Sequence, residues 1–254
     1  MWTPDVYEGA PTSVTAFFAL APKVAGFGAI IRILYIAFGN VFDEWQSILI
    51  FISVASMILG AVAAIGQTNI KRLMAYSSIS HMGYGLAGLA TGINEGVTAS
   101  VLYIFLYVVM NIGSFACILI MKRKDIYLEN IRDLSGLSKN HPLVAFCLTV
   151  MLFSLAGIPP LAGFFAKFYI FMAVVKADLI ILAVIGLVTS VISAFYYLRI
   201  IKIMYFDPEQ EKFDPISSKG VKISLALSTL LILFYFLNPS ILNFFVNLAS
   251  KSVQ

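Results

Sequence analysis

The sequence predicts an all-α membrane protein with about seven transmembrane helices, one of them broken. Three observations predict it. Of 254 residues, 60% are apolar and 12% charged, about half the charged share of an ordinary soluble domain. Several apolar runs reach the roughly 20 residues that cross about 30 Å of hydrocarbon, and the charges cluster between them. One apolar run, 143–176, is too long for a single straight crossing and carries Gly157-Ile158-Pro159-Pro160 at its middle. A soluble globule is excluded. So is a β-barrel, because runs such as 45–65 and 179–198 are apolar on every face and do not alternate.

The elements follow in order. Residues 1–11, Met1 to Pro11, are polar and rich in turn formers, lack the pattern of a signal peptide, and read as a cytoplasmic loop. The first span is 12–38, with Thr12 or Ser13 available as a cap. A second covers 45–66 and a third 70–91, closed by Gly92-Ile93-Asn94; a fourth runs 96–121. The connection 122–141 is basic and faces water. In 143–176 the two prolines remove a backbone donor and crowd the preceding turn, opening the helix at membrane depth. Such a break survives only against protein or a water-filled cavity. Span 179–201, a polar loop 202–220 and a last span 221–249, interrupted by Asn238-Pro239, complete the set.

The alternate connections 67–72, 122–141 and 202–220 hold Lys71, Arg72, Lys122, Arg123, Lys124, Arg132, Lys139, Lys202, Lys212 and Lys219, whereas the opposite side holds Lys176 and Lys251. By the positive-inside bias the N-terminal segment of this multi-pass protein is cytoplasmic and the C-terminus outside. The net charge of +4 therefore sets orientation, and no nucleic-acid partner is expected. Cys117 and Cys147 lie inside apolar runs without a CxxC spacing, so neither a metal site nor a disulfide is indicated.

A lysine near the centre of a span costs about 2.5–3.5 kcal/mol to insert, and two stand out. Lys23 lies half-way along the first span, and Lys167 lies just beyond Pro160 on the second half of the broken helix. An amine held away from water can exchange its proton near neutrality; the competing reading is a structural cation on a helix end or carbonyl. His81 closes the hydroxyl-rich run Tyr76-Ser77-Ser78-Ile79-Ser80, a composition that suits a proton path and equally a hydrogen-bonded packing residue. Tyr103, Tyr107 and Asn111 form one polar stripe, lining water or bonding neighbouring helices. His141 reads as solvated or capping; Lys71-Arg72, Arg199 and Lys202 need do no more than set topology. No acidic residue lies deep in a span, so the acidic partners of the lysines are expected upstream of this chain or in another subunit.

Three segments carry a resemblance: Trp2-Thr3-Pro4-Asp5-Val6-Tyr7-Glu8-Gly9-Ala10-Pro11, then Gln67-Thr68-Asn69-Ile70-Lys71-Arg72 through His81-Met82-Gly83, then Ser154-Leu155-Ala156-Gly157-Ile158-Pro159-Pro160 through Ala166-Lys167-Phe168. They resemble the antiporter-like membrane subunits of proton-pumping NADH:quinone oxidoreductase, and the first segment has the form of the subunit N branch. The resemblance implies the C-terminal half of an inverted-repeat fold, with the second five-helix repeat and its broken helix. It makes Lys23 a bridging lysine, Lys167 the lysine facing the outer exit, and His81 part of the path between them, with Lys71 and Tyr76 beside the same route and Gly157, Pro159 and Pro160 forming the break.

The resemblance further implies proton translocation with no cofactor bound in this chain. NADH, flavin, iron–sulfur clusters and quinone are then expected in partner subunits of the oxidoreductase. The glutamate and lysine of the family's other half would precede Met1, so the chain is expected to be truncated, or else completed by a separate polypeptide. A multisubunit or stand-alone cation/proton antiporter and a non-catalytic assembly piece are the rival expectations.

Overall fold

A helix carrying Lys71, Arg72, Ser77, Ser78, Ser80 and His81 is stable in hydrocarbon only where other helices surround it. The computed structural model, which describes residues 2–215 and 218–253, places it so. The helices are α1 (Trp2–Gly9), α2 (Thr12–Arg32), α3 (Phe42–Ile65), α4 (Ile70–Leu89), α5 (Asn94–Ile120), α6 (Leu137–Asn140), α7 (Pro142–Ala156), α8 (Ala162–Lys176), α9 (Ile180–Phe206), α10 (Lys219–Phe234) and α11 (Pro239–Val253). Helix α4 is buried on nearly every face and packs against α1, α2, α3, α5, α8 and α9. Small residues let its neighbour α3 come close. A Cβ on Gly60 would meet the Ser80 nitrogen at 2.5 Å, and Ser53 donates a 2.7 Å bond to the Gly83 carbonyl.

Five stretches among the described residues are long and apolar enough to span a membrane: Thr12–Ala37, Gly39–Ile65, Asn94–Ile120, Ile180–Phe206 and Lys219–Leu237. Helix α4 falls outside that set because its polar residues, buried against protein, lower its hydropathy. The pair α7 and α8 falls outside because each is half a crossing. Spans two and four start earlier than expected, at Gly39 and Asn94, and the sixth continues to Phe206, which shortens the following loop. Met1, and Ile216 and Ser217 of the expected 202–220 loop, lie outside the described residues, as does the side chain of Lys251.

Most of the expected N-terminal loop is helical instead: Trp2–Gly9 forms a helix, because a proline in the first turn lacks only a donor that would go unused there. Pro4 and Tyr7 are buried, while Asp5 and Glu8 reach Arg72 at 2.9 and 2.7 Å. Two acidic residues of α1 thus offset a cation at the N-terminus of α4, where the helix dipole disfavours positive charge.

The three basic connections meet at one end of the bundle. Residues Lys122–Arg123 (β1) and Ile126–Tyr127 (β2) pair as a hairpin whose turn residues, Lys124 and Asp125, both have positive φ. Asn130 bridges to Asn69, Arg123 reaches Glu211, and the Phe213 N–H donates to His141 Nε2 at 3.2 Å. His141 therefore does not cap α7, although it stands at the N-cap; its ring stacks on Phe213. Arg199 does more than mark topology, since it donates to the Ile65 and Gln67 carbonyls at the C-terminal end of α3. Glu95 and Lys176 lie 3.8 Å apart at the opposite end.

Asp214 clasps the hairpin by accepting the Asp125 and Lys124 backbone N–H groups at 3.0 and 3.1 Å. Those two donors, Asp125's first, hold its carboxyl below the usual carboxylate value. The clasp is complete above that usual value and is lost as pH falls through the lowered one. Asp214→Asn is expected to speed amide hydrogen exchange at Lys124 and Asp125 by about fivefold or more, as loss of a charge-assisted bond requires, and to remove the dependence of that protection on acid pH.

Candidate functional site

The break makes a binding end. Gly157 adopts φ +87°, a backbone region open to glycine, and the Gly157 and Ile158 N–H groups return to the Phe153 carbonyl, which closes α7 in a C-terminal capping turn. The chain restarts at Ala162 as α8, whose Gly163 N–H donates to Ser154 Oγ at 2.9 Å. Lys167, one turn further on, folds back over the break. Its Nζ donates to the Ala156 carbonyl at 3.0 Å and to Ser190 Oγ of α9 at 2.8 Å, and it lies 5.1 Å from the Tyr84 ring centre. The ammonium therefore sits on the negative end of a half-helix, over an aromatic face. A recess of about 310 Å³ adjoins it, lined by Gly157, Ser190 and Leu187 and by apolar residues of α8.

Lys23 reaches the same core from α2. Its Nζ donates to the Tyr107 hydroxyl at 3.3 Å and lies within 5.5 Å of the Tyr7 and Tyr107 ring centres. No carboxylate pairs with Lys23 or Lys167 among the described residues. Hydroxyls, carbonyls and aromatic faces hold both cations instead.

His81 stands between the lysines. Its Nδ1 is 2.6 Å from the Tyr103 hydroxyl and its Nε2 is 3.1 Å from the Tyr197 hydroxyl, which also bonds Ser77. A neutral imidazole has one N–H and one lone pair, so one tyrosine accepts from it and the other donates. Its ring centre is 5.2 Å from that of Tyr107 and 5.9 Å from that of Tyr84. The order Lys23, Tyr107, His81, Tyr84, Lys167 is thus continuous in space.

The polar stripe of α5 divides. Tyr103 and Tyr107 enter the site, whereas Asn111 donates to the Tyr107 carbonyl of its own helix. Tyr76 is not drawn in; it is half-buried and interacts with Arg72. Lys71 is buried at the basic end of the bundle, and Pro159 and Pro160 are exposed in the break. Sequence reasoning missed Tyr84, Ser190, Tyr197 and Glu129. Only Tyr84 left a signal, standing three residues after His81 on the same helix face.

The family model described as NADH:quinone oxidoreductase/Mrp antiporter, transmembrane, matches residues 1–193. The chain belongs to this family. Subunit N of NADH-quinone oxidoreductase from Pelagibacter ubique is 62% identical over 240 residues, which are 94% of this chain and 51% of that protein. The chain spans about half the length of the curated relatives it matches. Among solved structures, a chain of respiratory complex I from Thermus thermophilus with bound aureothin is 33% identical with a TM-score of 0.81, covering 95% of this chain and 53% of its own. A chain of the Mrp complex from Dietzia sp. shares the fold at 23% identity and a TM-score of 0.86, covering 99% of this chain and 55% of its own. An antiporter-like helical membrane fold is thus what this sequence encodes.

Within this antiporter-family fold, Gly163 lets α8 pass close to α7. A Cβ there would stand 1.9 Å from the Ser154 carbonyl oxygen, which is backbone and cannot rotate away. Gly163→Ala is expected to lower stability by about 1–3 kcal/mol through overpacking. Thermal melting in detergent checks this, with Gly28→Ala, which meets open space, as the unaffected comparison.

Proposed function

We propose that this chain carries protons across the membrane as part of a subunit N-like component of NADH:quinone oxidoreductase. Electron transfer in partner subunits, which hold the NADH site, flavin, iron–sulfur clusters and quinone, supplies the energy. One observation carries the reading: a run of contacting titratable side chains, Tyr107, His81 and Tyr84, spans the space between two deep lysines, hydrogen-bonded at Lys23 and in ring contact from Tyr107 to Lys167. The basic end of the bundle faces the cytoplasm, so the N-terminal segment lies inside and the C-terminus outside.

Lys23 is loaded first. Its proton passes by way of Tyr107 to His81, whose two nitrogens are bonded to Tyr103 and Tyr197, so one of those bonds opens to free a lone pair for it. Lys167 receives it and releases it to the recess beside Ser190. The Ala156 carbonyl keeps the loaded ammonium in place at the break. The acidic partners that drive loading and release come from neighbouring membrane subunits and from the helices that complete the fold.

The test uses the oxidoreductase complex containing this chain, in sealed membrane vesicles. Lys167→Met is expected to leave assembly and quinone reduction measurable while lowering the proton-to-electron ratio. Lys176→Met, at the exposed end of α8, leaves the ratio unchanged. An unaltered ratio in Lys167→Met overturns the proposal; sodium-driven proton exchange without NADH oxidation would replace it with an ion-gradient antiporter.

A further inference from the structure

Lys71 is a third buried lysine, and the route above leaves it idle. It is 1% exposed although it stands in the first turn of α4, where both burial and the helix dipole oppose a cation. Its Nζ lies 2.5 Å from Glu129 Oε1 and donates to the Ala10 carbonyl at 2.9 Å. Glu129 comes from the connection between α5 and α6 and is held there by backbone. The Ile70 N–H donates to the Glu129 carbonyl and the Ile131 N–H to the Thr68 carbonyl, both at 2.8 Å, while Asn69 Nδ2 donates to Glu129 Oε2 at 3.1 Å. The two ends of the pair differ in their access to water. Glu129 is 31% exposed and Lys71 is dry.

The dry side leads towards Lys23. The Ala10 carbonyl, which holds Lys71, lies 3.4 Å from Thr15 Oγ1, whose single O–H has the Tyr7 carbonyl as its nearer acceptor at 3.0 Å. Tyr7 turns its ring to Lys23 at 5.2 Å, and its buried hydroxyl stands beside Ser78. The other charges at this turn are already engaged: Arg72 with Asp5 and Glu8, and Asp133 with the Asn130 N–H. Glu129 is the acid left facing Lys71.

We propose that Glu129 and Lys71 form a proton-loading pair at the basic end of the bundle that feeds Lys23. The inference rests on the proton-translocation reading and adds the inlet to it. The Glu129 carboxylate takes a proton from solvent and ceases to offset the Lys71 ammonium. Lys71 then gives its proton towards Tyr7 and Lys23, becoming a neutral amine. The proton on Glu129 passes to that amine, which restores the ion pair, and the net result is one proton moved from water to Lys23.

The experiment compares Glu129→Gln, Glu129→Asp and Lys167→Met in the complex in sealed vesicles, reading the rate of coupled proton uptake against pH on the basic side. Gln keeps one acceptor oxygen, enough for Lys71 though not for Asn69 as well, and cannot take up a proton. Glu129→Gln is expected to remove most of the share of uptake that Lys167→Met removes, as loss of a positioned acid–base group does, and to flatten the pH profile of that share. Glu129→Asp should retain uptake with a displaced profile. Uptake and profile of Glu129→Gln equal to the parent's, with Lys167→Met impaired, would overturn this inference alone; an unimpaired Lys167→Met would overturn the reading beneath it. Should Glu129→Gln fail to assemble, an undisplaced profile in Glu129→Asp counts against the pair and a displaced one for it.

Discussion

The contact between the Lys167 ammonium and the Ala156 carbonyl is what the rest of the site is arranged around. A lysine at membrane depth needs acceptors, and a continuous helix offers none, because its carbonyls are spent on its own ladder. Breaking the helix exposes the last carbonyls of α7 in the interior. Gly157 turns the chain there, Gly163 lets α8 return close enough for Lys167 to fold back, and Ser190 supplies the second acceptor. The same break that holds the cation also brings the recess beside it.

A central polar helix follows from the same constraint. Helix α4 carries serines, a histidine and a lysine, and is tolerable only when buried in protein. Its burial places His81 within reach of tyrosines from α5 and α9, and places Lys71 against the connection bearing Glu129. Small residues at the α3 contact make that burial close. The polar path and the packing of the bundle are thus one feature.

Local chemistry was legible in the sequence and distant pairing was not. The Gly-Ile-Pro-Pro break, the two deep lysines and the hydroxyl run ending in His81 announce themselves because each departs from what hydrocarbon tolerates. The segment before Pro11 reads as a loop and folds as a helix, since Pro4 and Gly9 signal turns unless the first-turn tolerance of proline is given weight. Tyr197, Ser190 and Glu129 had no signal, because each meets its partner only through packing of elements far apart in the chain. Glu129 shows the limit most plainly: it lies in a water-facing connection, and only the backbone bonds around Asn69 and Asn130 carry its carboxylate to a dry lysine.

The central claim is that His81 links Lys23 to Lys167. Its most direct test is the proton-to-electron ratio of vesicles whose complex carries His81→Leu, with quinone reduction confirming assembly. The account predicts a ratio lowered by the share that this chain contributes, with quinone reduction retained. A ratio equal to that of the unsubstituted complex would contradict it and return His81 to a packing role.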